Sequence, residues 1–163
     1  MWQRIQTVFL VISIIALLVS LVMPIWISNG GSDATGQTQV LTPFYLMTTI
    51  SGQEGKGAVH SYMPYAITAM FAFASMTLSI IEITKYKARV TQMKIGALNS
   101  FFLVGVLVCS FYFSTHLSKS IIQGAGQYGP AMWLPGLSVL TNLLANRFIR
   151  RDEKLVRDSN RLR

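Results

Sequence analysis

A chain of 163 residues has the length of one domain, but this one is 52% hydrophobic and only 12% charged, with a mean hydropathy of +0.46. Soluble domains carry about 25% charged residues, and a chain this short has too little interior to hide so much apolar surface, so an ordinary soluble domain is excluded and a bilayer implied. The net charge of +8 leaves anionic lipid and nucleic acid as partners to weigh, while a single cysteine, Cys109, excludes an intramolecular disulfide and a cysteine-rich metal site.

The first long apolar run, TVFLVISIIALLVSLVMPIWI, has no charge from Thr7 to Ile27, and about 20 such residues cross a hydrocarbon layer as a helix. A helix over about 5–27 is expected. A signal peptide with Arg4 as its basic region competes with it, but the run exceeds the usual h-region and ISNGGSDA offers no clean small-x-small cleavage site. Residues 28–61 then form the one sizeable loop, with six of the twelve glycines. Its centre, TQVLTPFYLMTTI, is rich in β-branched and aromatic residues, which predicts one or two short strands in a small cap, with Pro43 dividing a hairpin or sitting on an edge.

The second span is expected over 62–83, with Pro64 in its first turn, where a missing N–H costs nothing. The third, over 95–117, reads IGALNSFFLVGVLVCSFYFSTHL, and VLVCSFYF within it makes Cys109 a packed thiol. The glycines and Pro130 of SKSIIQGAGQYGP mark a break; Gly124 and Gly126 are no nucleotide fingerprint, since no predicted strand precedes them. The fourth and weakest span is AMWLPGLSVLTNLLANRFI, 131–149, where Pro135 falls in a first turn or at a kink.

Four spans place twelve basic residues on one side (Arg4, four between Lys85 and Lys94, and seven from Arg147 to Arg163) and only Lys56 and Lys119 on the other. The positive-inside rule then puts both termini in the cytoplasm. Trp2, Trp26, Tyr62, Tyr65, Tyr86, Tyr128 and Trp133 fall at span ends, as interfacial aromatics do.

The last residues, 150–163, read as an amphipathic basic helix. Phe148, Leu155 and Leu162 recur every seven residues, as do Ile149 and Val156, and Glu153–Arg157 and Lys154–Asp158 are i,i+4 pairs. Arg150, Arg151, Lys154, Leu155, Arg157, Arg161 and Leu162 therefore form the expected interaction surface, for anionic headgroups or for another protein. A plain solvated extension and nucleic acid are the weaker readings.

Little in the chain promises catalysis. His60 and His116 lie near outer span ends and could meet Asp33 and Glu54 in a metal or proton site, although histidines so placed more often cap helices or face water. Glu82 is expected at the cytoplasmic interface in an ion pair with Lys85 or Lys94. Small residues (Thr68, Ala72, Ser75 and Ser79 in the second span, Gly96 with Ser100 and Gly105 with Cys109 in the third) suit close helix packing. Asn142 and Asn146, on one face of the fourth span, are positioned to hydrogen-bond across the bundle. No catalytic residue, cofactor site or metal site is assigned.

The opening MWQRIQTVFL, the segment YGPAMWLPGLSVL and the closing ANRFIRRDEKLVRDSNRLR resemble a family of small four-helix inner-membrane proteins of Bacteroidota known as a domain of unknown function. The resemblance runs through the whole chain, is most specific in its basic ending, and implies a bacterial inner membrane without supplying any catalytic residue. The expected architecture is an all-α, four-helix transmembrane domain over 1–149 with an outer cap and a cytoplasmic tail helix over 150–163. The expected function is a non-enzymatic accessory or scaffold subunit of a larger membrane complex, bound to anionic lipid and to another integral membrane protein. The alternatives are a channel, transporter or sensor, with Asn99, Asn142 or Asn146 lining a polar cavity, and an intramembrane enzyme using His60 or His116.

Overall fold

Prolines set three of the helix boundaries, because each lacks an N–H and turns the residue before it away from helical geometry. The computed structural model describes residues 3–28, 37–50, 59–85, 88–120 and 126–161. Helix α1, Gln3–Val22, stops two residues before Pro24, so Trp26 and Ile27, expected inside the first span, instead open strand β1, Trp26–Ser28. Strands β2, Gln37–Leu41, β3, Leu46–Ile50, and β4, Val59–Ser61, follow. Helix α2, Ala66–Thr84, starts after Pro64, which therefore lies in the preceding turn and not in the first helical turn, with a cis Met63–Pro64 peptide. Helix α3, Arg89–Ser120, exceeds the expected 95–117 at both ends. Strand β5 is Gly126–Tyr128, and helix α4, Pro130–Arg161, begins on a proline, where its missing donor is harmless. The expected fourth span and tail helix are thus one continuous element.

The chain is not all-α. The strands form one antiparallel sheet in the order β4-β3-β2-β1-β5. Pro43 does lie in a hairpin turn, between β2 and β3, closed by Thr42: its N–H donates to the Tyr45 carbonyl (2.9 Å) and its hydroxyl accepts from the Tyr45 N–H (3.1 Å). The expected hairpin is extended by β4 on one edge and by β1 and β5 on the other. Trp26 pairs with both Leu41 and Tyr128, so the sheet knits the long loop to the short α3–α4 connection, read from sequence only as a break. Every strand belongs to a connection at one end of the helices, and the sheet caps that end. Trp26, Ile25, Leu41 and Leu46 pack with Leu117 and Ala131 beneath it. Trp26 is therefore core, 1% exposed, and not an interfacial anchor. Trp133, Tyr62 and Tyr128 are exposed as such anchors would be, whereas Tyr65 packs on Phe113. Trp2 and Tyr86 lie outside the described residues.

Below the cap the helices bury an unusual face. Buried positions on α3 run Gln92, Gly96, Asn99, Leu103, Val106, Ser110, Ser114 and Leu117, a three-four spacing that keeps one seam inward. On α1 the inward row is Gln6, Leu10, Ser13, Leu17, Ser20 and Leu21, while Val8, Val11, Ile15, Leu18 and Val22 point out. The outer surface is thus more apolar than the interior, the reverse of a water-soluble bundle and the arrangement a hydrocarbon surround favours. By length and composition three helices can cross a membrane: α1 over Ile5–Val22, α2 over Ala66–Thr84, and α3 over Arg89–Leu117. Helix α4 does not meet the same measure, being rich in inward polar groups and continuing into a charged end. It nevertheless lies antiparallel along the length of α1. Ser20 meets it near its start, Ser13 and Ser138 exchange hydroxyl-to-carbonyl bonds (3.3 and 3.1 Å), and Phe9 stacks on Phe148 at 5.6 Å.

Pro135 sits inside α4 without breaking it. Its ring removes the N–H that would bond the carbonyl four residues back, at Ala131. The Ser20 hydroxyl donates to that carbonyl instead, at 3.3 Å. A neighbouring helix thereby satisfies the backbone group a proline has freed, as the interior of a membrane bundle requires.

Candidate functional site: a polar core inside the helix bundle

Asn99, in the third turn of α3, is fully buried and joins three helices. Its Oδ1 accepts from the Ser75 hydroxyl at 2.5 Å, and its Nδ2 donates to Ser79 Oγ at 2.8 Å and to Asn142 Oδ1 at 3.1 Å. Asn142 in turn donates to Ser100 Oγ (2.8 Å) and to the Gly96 carbonyl (3.2 Å). Carboxamides suit this position because each presents a donor and an acceptor, so one side chain links two neighbours at once. Such bonds contribute about 0.6 kcal/mol each between membrane helices, so the network specifies which faces meet as much as it stabilises them. The Thr68, Ala72, Ser75 and Ser79 face of α2 is buried, as its small residues predict.

Toward the end away from the sheet the network runs out of partners. Glu82, in the last turn of α2, has no solvent exposure, and neither carboxyl oxygen has a hydrogen-bond partner. The expected ion pair with Lys85 or Lys94 is therefore not formed: both lysines are exposed, whereas Glu82 turns inward with Thr68, Ser75 and Ser79. Periodicity is the physical reason, since 75, 79 and 82 follow the three-four spacing of the buried face. Gln6 Nε2, in the first turns of α1, and Asn146 Oδ1 are also buried without partners. Asn146 thus departs from the expected cross-bundle hydrogen bond; it packs against Gly96, where a Cβ would collide with its carboxamide.

The charged end of α4 is held by α3. Arg89 pairs with Asp152 at 3.3 Å and also donates to the Asp152 backbone carbonyl at 3.3 Å. The expected Glu153–Arg157 pair is not among the ion pairs of the described residues; the guanidinium of Arg89 makes both of its bonds to Asp152. Of the expected interaction surface, Arg150, Arg151, Lys154, Leu155 and Arg157 are exposed. The side chains of Asp158 and Arg161, and Leu162 as a whole, lie outside the described residues. The apolar stripe divides: Ile149 is buried and Phe148 meets Phe9, whereas Leu155 is 56% and Val156 40% exposed.

At the sheet end, His60 on edge strand β4 meets Tyr45 edge to face and stacks with Tyr62, and His116 on α3 lies against Tyr112; both histidines are exposed. Asp33 and Glu54, their proposed companions, lie outside the described residues. Among the described residues no three His, Cys, Asp or Glu side chains gather as a metal site would require.

A family model described as a domain of unknown function, DUF4293, matches residues 2–162, which include the first turn, the polar core, the cap and the basic end. The chain belongs to the DUF4293 family. No curated protein matches it. In this DUF4293 protein sequence reasoning missed Gln6, Gln92 and the hub role of Asn99, and it placed Glu82 at the interface where the structure buries it in the bundle. Gln92 and Asn99 are seven apart, with Gly96 between them on the same seam. That spacing was the available signal.

Proposed function

We propose that this protein is a non-enzymatic accessory or scaffold subunit of a larger complex in a bacterial inner membrane, with four crossings and both termini in the cytoplasm. Helix α4 supports the fourth crossing, since it accompanies α1 from Ser20 to Phe9. The described basic residues on the side away from the sheet, among them Lys85, Arg89, Lys94, Arg147 and Arg150, support the orientation. One observation carries the role: α4 continues past the Phe9–Phe148 contact as a basic helix that exposes Leu155 and Val156. Held to α3 by Arg89–Asp152, that extension is a presented surface and not a loose tail. Its exposed Arg150, Arg151, Lys154 and Arg157 suit anionic headgroups beside the partner; nucleic acid is not favoured.

Affinity purification from native membranes in mild detergent, followed by mass spectrometry, tests this reading. A stoichiometric membrane-protein partner is expected with the full chain and is expected to be lost on deletion of Arg151–Arg163. Insertion should survive the deletion, because Arg147, Arg150 and the basic α2–α3 connection remain. Recovery alone or as a homo-oligomer would overturn the accessory role, and an inverted last span would make the tail a topology signal only.

Glu82 favours a second reading, a channel, transporter or sensor. A buried ionisable side chain without a partner inside a membrane bundle is costly and commonly marks a path for protons or ions. Glu82→Gln keeps the volume and removes the titratable group. Under the accessory reading, insertion and partner recovery should match wild type in this variant. A cation- or proton-driven flux into wild-type proteoliposomes that is abolished by Glu82→Gln would transfer the assignment to transport.

A further inference from the structure

Between α3 and α4, at the end away from the sheet, lies an open cavity of about 450 Å³ lined by Ala97, Ser100, Leu143, Asn146, Arg147 and Arg150. We propose that it binds a membrane phospholipid, with the headgroup phosphate held by the two arginines.

Two observations converge on that ligand. Arg147 and Arg150, three residues apart on one face of α4, are exposed, and neither makes an ion pair among the described residues. Two free guanidinium groups at one mouth match a phosphate, which they can grip through paired N–H donors. The second observation is direction. From Arg150 through Arg147 and Asn146 to Leu143 the lining passes from cationic through polar to apolar over about two helical turns. A phospholipid entering from the leaflet makes the same passage from headgroup to acyl chain.

The same seam continues as an apolar groove of about 500 Å³ lined by Leu107, Val108, Phe111, Tyr112 and Met132, among others. Ser100 and Leu107 are seven residues apart, and Met132 and Leu143 eleven, both near whole numbers of turns, so the two hollows lie on one side of the α3–α4 contact. A free phosphate would leave Ala97, Leu143 and this groove uncovered. A phospholipid meets both demands. The inference rests on α4 crossing the membrane but not on the accessory role.

Native mass spectrometry of the full, delipidated chain, re-supplied with phosphatidylglycerol, phosphatidylethanolamine or phosphatidylcholine, tests it. One retained lipid per chain is expected. Arg147→Gln with Arg150→Gln should remove retention of all three, whereas Lys85→Gln, an exposed charge change outside the groove, should not. Ala97→Phe, at an exposed lining position, should exclude lipid with both arginines intact, which guards against misfolding of the double variant. Deletion of Arg151–Arg163 should leave the lipid in place even where it removes a protein partner. No retained lipid in wild type, unchanged retention in the double variant or in Ala97→Phe, or displacement by soluble glycerophosphate would each overturn the proposal, the last by assigning the site to a soluble phosphate ester.

Discussion

Gly129→Ala, a single added methyl, should leave little folded protein. Gly129 joins β5 to α4, and its N–H donates to the Ile25 carbonyl at 2.8 Å. A Cβ there would fall on the backbone carbonyl of Pro24, which itself accepts from the Ala131 N–H at 3.3 Å. Neither side can yield. Pro24 is fixed between the end of α1 and the start of β1, and Gly129 between β5 and Pro130. Overpacking of a rigid site costs about 1–3 kcal/mol where side chains give way, and backbone against backbone belongs at or above the top of that range. Thermal unfolding in mild detergent, together with the yield of monodisperse protein, reads the effect. Gly136→Ala is the internal comparison: no atom lies within 4 Å of its added Cβ, and it stands inside α4. Alanine is favoured over glycine in a helix interior by about 1 kcal/mol, so that variant should be as stable as wild type or slightly more stable. Similar losses in both variants would show that the Pro24–Gly129 contact does not control the junction of cap and bundle.

Asn99→Ala should produce the largest loss of any single truncation in the polar core. It removes three interhelical hydrogen bonds and leaves Ser75 Oγ and Asn142 Oδ1 without their Asn99 partner. Three bonds at about 0.6 kcal/mol each amount to roughly 2 kcal/mol, to which the void of a truncated buried side chain adds. Ser79→Ala, which removes one acceptor, should cost only a fraction of that. Because Asn99 and Asn142 share a bond, their combined alanine variant should lose less than the two separate losses added together. Strict additivity in thermal unfolding would mean that water or rearranged neighbours already satisfy these carboxamides, and that the network does not set the packing of α2, α3 and α4.

Much of the bundle was legible in the sequence because it depends on local properties. An uncharged run such as Thr7–Ile27 marks a span by composition alone, and Pro43 marks a turn by its fixed backbone angle. The small faces of α2 follow from a periodicity that any helix imposes. The same local rules failed where a second segment decided the outcome. GQY at 126–128 carries no strand signal of its own and becomes β5 by pairing with β1, about a hundred residues earlier in the chain. Trp26 looked like an interfacial ring at a span end, yet Leu41, Tyr128 and Leu117 enclose it. The site was less legible still. Glu82 lies close to basic residues in sequence, and only the rotation of α2 turns it away from them.

By itself, the sequence determined that this protein has long apolar helices, a cap built from its longest loop, and a basic end separated from them. Hydropathy, proline and charge distribution are properties of single segments and need no partner to be read. The tertiary structure alone decided which face of each helix turns inward, which strands pair, and which polar groups are left unsatisfied at Glu82, Gln6 and Asn146. In a bundle whose surface is more apolar than its core, hydrophobicity no longer separates inside from outside. The inward faces are chosen by close packing and by the pairing of serines and carboxamides across helices, and those matches exist only once the four helices stand side by side.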